Sequence, residues 1–327
     1  MKRLIYIAIL LAMAVGCTRV PSTTETQPAL MLPPKLSIQP ATPSVIPTRA
    51  LAPTPSPTLT PSPTPTPVCT DKYGRVEVIT YPGFVLPEQI QVRVYLPPCY
   101  AHGDQRYPVL YLLHGFPFDE SHWDDLEVDR LADEGIDSGI WPPFIIVMPR
   151  QPEPLFTNSD GGPGSYEAEM VEGLVPYINR TYRADLRPEA RALGGISRGG
   201  VWALEIAFRH PDVFDIVAAL SPALHVNYAR PPYDPFVILR ADGALPGRIF
   251  LSAGDQEVQF RAKVEKLSQA LEEIGVTHTV LIGSGGHDAK LWTTVMQDMV
   301  DFIVTGWLYC PGPDRIRDCP EDDFRVQ

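Results

Sequence analysis

Residues 195–199, Gly-Ile-Ser-Arg-Gly, hold one hydroxyl in a G-x-S-x-G spacing, with Gly194 and Gly200 on either side. A serine hydroxyl becomes a nucleophile when a base takes its proton and a carboxylate orients that base. Glycines suit this work because they relieve crowding where the chain turns sharply around the serine. Five common residues describe an idle glycine-rich turn equally well, so the base and the acid must be found elsewhere. Of seven histidines, His102, His122, His210, His225 and His278 lie in loops, at a helix end or along a strand, where exposed or satisfied histidines are usual. His114 stands at a strand end before Gly115, far upstream, and reads as structural, shaping the loop that follows. His287 differs, because "GSGGHDAKLW" (283–292) puts it in a glycine-rich turn between an apolar stretch and a helical one. For the acid, "LSAGDQEVQF" (251–260) offers both Asp255 and Glu257. Either also fits the start of a helix, Asp255 as a capping residue and Glu257 as a first-turn acid favoured by the dipole.

These groups are useful only if a framework brings them together. "RVEVIT" (75–80) and "QIQVRVYLP" (89–97) alternate apolar and polar residues, as half-buried antiparallel strands do. "YPVLYLLHG" (107–115) and "PFIIVMP" (143–149) are continuous apolar runs, suited to strands covered on both faces. Between them "WDDLEVDRLADEG" (123–135) has helical spacing and a glycine stop, and 165–182 reads as a second helix. "ARALGG" (190–195) is a short strand running into Ser197, with a helix over 198–211 ended by Pro211. Strands over 214–222, 248–254 and 277–283 then alternate with helices over 257–275 and 288–304. This alternation predicts an α/β fold with a mostly parallel central sheet, helices on both faces and antiparallel strands at its N-terminal edge.

Three separate strand ends thus carry serine, acid and histidine, in that chain order, which is the order of α/β-hydrolases. An oxyanion would need donors as well. The amide of Arg198, directly after the serine, supplies one, and the Phe116 amide in "LLHGFPFDESHW" (112–123) is the natural second. From about Arg75 to Trp307 the chain resembles the Putative esterase family of α/β-hydrolases, the esterase D or feruloyl-esterase-like group. The resemblance is carried by "YLLHG" with Trp123 downstream, "LVPYINRTYR", "LGGISRGGVWALEIAFRHPDVFDIVAALSPAL", "LSAGDQE" and "GGHDAKLW". It implies Ser197 as nucleophile and His287 as base. It also favours Glu257 over Asp255, because the carboxylate of many relatives stands three residues after the strand-end glycine, here Gly254. Arg198 departs from the pattern, since relatives often carry methionine or another apolar residue there. Its guanidinium would approach an anionic substrate or, the preferred reading, pair with a nearby carboxylate.

Outside this domain the composition changes. Lys2 and Arg3 precede an apolar stretch, Leu4 to Val15, which is too short to span a bilayer, and Gly16 then meets Cys17. Residues 1–17 therefore read as an export signal, and "AVGC" (14–17) as a lipobox-like site that would leave a lipidated Cys17. Residues 18–68 are rich in Pro, Thr and Ser, with only Arg19, Glu25, Lys35 and Arg49 charged, so they cannot bury a core and suit an extended spacer. The esterase domain is expected over 69–327. An exported chain favours disulfides, and Cys69–Cys99 with Cys310–Cys319 is preferred to the two other pairings.

With a net charge of −12, nucleic acid and anionic membrane surfaces are poor partners; contact with a membrane is expected only through a lipid on Cys17. The expected activity is a tethered, exported serine carboxylic-ester hydrolase working through an acyl-enzyme, with no metal or organic cofactor. Its partner would be a small-molecule or polysaccharide-linked ester, and no oligomeric state is implied. An acyltransferase using the same three residues is the enzymatic alternative, and a silent surface-binding module the other. Loops 150–164 and 223–246 are expected to shape the pocket, and Phe156, Tyr228 and Tyr233 would either contact a substrate or, an equally good reading, pack within the loops.

Overall fold

In a computed structural model, which describes residues 69–241 and 243–309, eight strands form one sheet in the order β1-β2-β4-β3-β5-β6-β7-β8. The strands are β1 Arg75–Pro82, β2 Gln89–Leu96, β3 Val109–Leu113, β4 Ile145–Pro149, β5 Arg191–Ile196, β6 Ile216–Leu220, β7 Arg248–Gly254 and β8 Thr279–Gly283. β1 pairs antiparallel with β2 and β2 antiparallel with β4, while β4, β3, β5, β6, β7 and β8 run parallel. Every residue of β3, β4, β5 and β6 is buried, as continuous apolar runs require of strands covered on both faces. β1 is half exposed, which accounts for its alternating pattern.

The helices used below are α1 Val128–Asp137, α2 over residues 166–181, α3 Arg198–Arg209, α4 Val258–Glu273 and α5 Ala289–Tyr309. Two apolar clusters lie against the sheet. One gathers Tyr111, Leu193, Val217 and Leu251 with Trp202 of α3 and Leu267 of α4. The other gathers Leu110, Ile146, Ala218 and Phe250 with Ala132 of α1 and Met299 of α5.

Two of the expected helices differ in detail. The single helix over 123–135 is instead a turn, His122–Asp125, followed by α1, because Glu127 between them takes a left-handed φ of 63°. Gly135 does not stop α1, which runs on to Asp137; a Cβ there would meet the Trp141 ring at 2.1 Å, so close packing is what calls for glycine. In α2, residues Glu169–Leu174 widen into a π-helical turn, and buried Glu169 accepts hydrogen bonds from the Phe84 and Val85 amides.

A disulfide joins Cys69 to Cys99, with Cα atoms 5.7 Å apart. The expected signal and Cys17, the spacer over 18–68 and the Cys310–Cys319 pairing lie outside the described residues. No helix among the described residues is long and apolar enough to cross a membrane.

Candidate active site

Parallel strands all end at one edge of the sheet, and the loops after β3, β5, β6, β7 and β8 meet there. Ser197 follows β5 and precedes the first turn of α3. Its φ of 55° and ψ of −114° place it in the strained left-handed half of backbone space, at a cost of roughly 1–3 kcal/mol. The surroundings hold it there. The Ser197 amide donates to Leu220 O at 2.9 Å, and Ser197 O accepts from the Ala223 amide at 3.0 Å. Two glycines make room: a Cβ on Gly195 would lie 2.3 Å from Gly199 O, and one on Gly199 would lie 2.3 Å from Leu113 O. The motif is therefore glycine-rich because three stretches of backbone touch at the serine.

His287 Nε2 lies 3.0 Å from Ser197 Oγ, and His287 Nδ1 lies 2.5 Å from Glu257 Oε1. Glu257 is buried, and its second oxygen accepts from the Gly254 amide at 2.5 Å and from Ser221 Oγ at 2.7 Å. Burial alone would raise the Glu257 pKa. Hydrogen bonds from His287, Gly254 and Ser221 outweigh it and hold the carboxyl below its ordinary value. Glu257 is therefore an anion at neutral pH, and an imidazole tied to it through Nδ1 presents Nε2 to the serine.

Asp255, the other candidate acid, does not meet His287. Its Oδ1 accepts from the Gly285 amide at 2.9 Å, while its own amide donates to Gly283 O, so it fastens the loop that carries His287. The preferred reading of the Arg198 side chain is corrected. Its guanidinium reaches no carboxylate among the described residues; it donates to Phe156 O at 3.1 Å, to Asn158 O and to Asn227 Oδ1 at 3.4 Å, and lies over the Trp202 ring. The Arg198 amide, first in α3, belongs to the donors a helix leaves without an internal partner. The Phe116 loop is close too, since a Cβ on Gly115 would touch Ser197 Cβ at 3.3 Å. His114, read as structural, is buried between Gly115 O and the Gln151 amide, and burial pushes its pKa down to about 4.

Three further groups at this site were given no role by the sequence, although the quoted stretches contain them. Ser221, after β6, has φ 45°, donates to Glu257 and accepts from Trp292 Nε1 at 3.3 Å. Phe260 stacks on His287 with ring centres 4.1 Å apart, and Trp292 packs edge-on at 5.0 Å. A cavity of about 460 Å³ opens from Ser197, walled by Phe116, Phe156, Val226, Tyr228 and Phe260. Phe156 and Tyr228 thus line the cavity. Tyr233 does not: it packs beneath Arg209 and Arg230 within the loops.

A mostly parallel α/β sheet carrying a strained serine at a strand-to-helix turn defines an α/β-hydrolase. The sequence pattern of the Putative esterase family matches residues 85–303, and the chain belongs to that family of serine esterases. A solved ferulic acid esterase superposes with a TM-score of 0.64 at 25% identity, covering 72% of this chain and 99% of its own. An S-formylglutathione hydrolase from Staphylococcus aureus shares the fold, with a TM-score of 0.61 at 18% identity over 71% of this chain and 99% of its own. An endo-1,4-beta-xylanase/feruloyl esterase of Xylanibacter ruminicola is 26% identical over 246 residues, which is 71% of this chain and 31% of the relative. Ferri-bacillibactin esterase BesA of Bacillus subtilis is 28% identical over 128 residues, 38% of this chain and 44% of the relative. The chain thus spans less than half the length of these two curated relatives.

Proposed function

We propose that the protein hydrolyses carboxylic esters through an acyl-enzyme on Ser197, with His287 as base and Glu257 as the orienting acid. The observation that carries this reading is the relay of contacts, 3.0 Å from Ser197 Oγ to His287 Nε2 and 2.5 Å from His287 Nδ1 to Glu257. Ser197 Oγ attacks the ester carbonyl as His287 Nε2 takes its proton. The amides of Arg198 and Phe116 hold the carbonyl oxygen as it becomes an anion. The bond to the alcohol oxygen then breaks, and His287 returns the proton to that oxygen. A water, deprotonated by His287, releases the acid and restores the serine.

The cavity beside Ser197, walled by Phe116, Phe156, Tyr228 and Phe260, favours an apolar or aromatic acyl group, in keeping with the feruloyl esterases among the relatives. We further propose that residues 1–17 direct export, that a lipid on Cys17 anchors the chain and that residues 18–68 hold the domain away from the membrane. The residue pattern of the N-terminus and the Cys69–Cys99 disulfide support this placement.

The test is hydrolysis of methyl and p-nitrophenyl esters, with acyl groups from acetyl to cinnamoyl, by wild type and by Ser197→Ala. Wild type is expected to turn over the aromatic esters, with a covalent acyl adduct seen by mass spectrometry, and Ser197→Ala to form none. No turnover across the panel would remove the hydrolase reading.

A further inference from the structure

The oxyanion donor expected at Phe116 belongs to a peptide whose placement depends on Gly115. Glycine is called for there by the close approach of Ser197, whose Cβ would lie 3.3 Å from an added Cβ. Glycine also has the most backbone freedom, so other contacts must fix this turn. Hydrogen bonds do so from both sides. Gly115 O accepts from the Phe118 amide at 2.9 Å and from His114 Nδ1 at 3.1 Å, the hydrogen standing on Nδ1 because Nε2 accepts from the Gln151 amide. That oxygen shares a rigid plane with the Phe116 N–H. On the other side, the Gly115 amide donates to His122 Nδ1 at 3.4 Å.

His122 opens the turn His122–Asp125 and is buried. Its ring lies flat on Phe118, with 3.9 Å between centres, and edge-on to Trp292 at 5.5 Å. Trp292 in turn packs 5.0 Å from His287. Burial, with His114 nearby, pushes the His122 pKa down to about 4 against the pull of Asp125 and Asp119, so Nδ1 keeps its lone pair at neutral pH. We infer that His122 is a positioning residue for the reaction: by accepting the Gly115 amide on Nδ1 and bracing Trp292 with its ring, it sets the Phe116 donor relative to Ser197 and His287. The inference rests on the esterase reading above. His122 acts through Gly115 and Trp292, not on the ester itself.

The experiment uses the full chain with p-nitrophenyl acetate, which makes little demand on the acyl cavity, and with phenylboronic acid, which adds to the serine and places an anionic oxygen where the oxyanion would form. His122→Phe keeps the ring contacts and removes the acceptor, whereas His122→Asn removes the ring and returns an acceptor oxygen. His122→Phe should lose about tenfold in kcat with KM changed less than about twofold, because both acyl-transfer steps pass through an oxyanion. It should also bind phenylboronic acid about tenfold more weakly. His122→Asn should stay within about threefold of wild type in both measurements. Equal losses in the two variants, an unaffected His122→Phe, or a loss of kcat with full affinity for the boronic acid would each overturn the proposal. Imidazole nitrogen NMR of wild-type His122 at neutral pH needs no variant: the hydrogen is expected on Nε2, and a hydrogen on Nδ1 would overturn the proposal even where His122→Phe does not fold. Wild type that hydrolyses no ester removes the esterase reading and this role with it, whereas an active wild type beside an unaffected His122→Phe removes this role alone.

Discussion

Two glutamates, both buried, sit on either side of the candidate nucleophile in opposite electrostatic states. Glu257 receives three hydrogen bonds and is held below its ordinary pKa. Glu205, two turns along α3 from Ser197, is fully buried, and neither of its oxygens has a partner among the described residues. Burial, reinforced by the Glu167 carboxylate, pushes its pKa up to about 9 despite the pull of Arg198 and Arg209. Burial is common to both, so burial does not set the charge; the donors do. A charged acid is maintained where Glu257 meets His287, and a neutral one where α3 meets the loop at Gly161, whose added Cβ would stand 2.5 Å from Glu205.

The largest expected effect lies on the Glu257 side. Glu257→Gln keeps the shape and removes the charge, and should lower kcat by about 10⁴-fold with little change in folding. Asp255→Asn should cost no more than a few-fold, because Asp255 ties a loop and does not meet His287. Parallel kinetics of the two variants check this, and a larger loss in Asp255→Asn would exchange their roles.

On the Glu205 side the effect is on stability and its sign follows from linkage. An unfolded glutamate titrates near 4.3, whereas the folded one titrates at about 9. Between those values the folded state binds the extra proton, so stability falls as pH rises through this window. Glu205→Gln should therefore match wild type near pH 4.5 and exceed it by a few kcal/mol at pH 8, with kcat unchanged. Denaturant titration at both pH values reads this directly, and an equal difference at the two would show that Glu205 does not hold a proton.

The contrast between these regions marks how far the chain was legible. Ser197, His287 and the two candidate acids stood out because glycine-rich turns at strand ends are rare places for a serine, a histidine and a carboxylate in one chain order. The sheet followed from apolar runs that only doubly covered strands tolerate. Ser221, Phe260 and Trp292 fall in the quoted stretches but showed no role there, because each acts on a residue of another loop or helix, Ser221 by a hydrogen bond and the two rings by packing. Glu205 was hidden for a similar reason: its position in α3 looks ordinary until Gly161 and Glu167 close over it. The Gly135 stop was misjudged because glycine answers close packing as well as helix ends, and only the Trp141 ring tells which.

Ser221 sharpens the comparison at smaller scale. It is one of three donors that keep Glu257 charged, so Ser221→Ala should reduce kcat by about tenfold and let the Glu257 carboxyl titrate closer to its ordinary value, read by NMR of its carboxyl carbon. A tenfold loss with an unmoved carboxyl titration would mean that Ser221 only braces Trp292.

Arg198 joins the two regions and should show the smallest effect. Its amide directly follows Ser197, its guanidinium feels Glu205, and burial lowers its pKa to about 10, still charged at neutral pH. Three acceptors, Phe156 O, Asn158 O and Asn227 Oδ1, fasten that side chain to the wall of the apolar cavity. Arg198→Met keeps the amide and removes the fastening. Hydrolysis of a small acetyl ester should change by less than about threefold, while KM for a cinnamoyl ester rises several-fold, because the larger group depends on the Phe156 wall. Kinetics across acyl size separate this from a direct electrostatic role: the same loss of kcat for every acyl group would assign the guanidinium to the oxyanion and not to the wall.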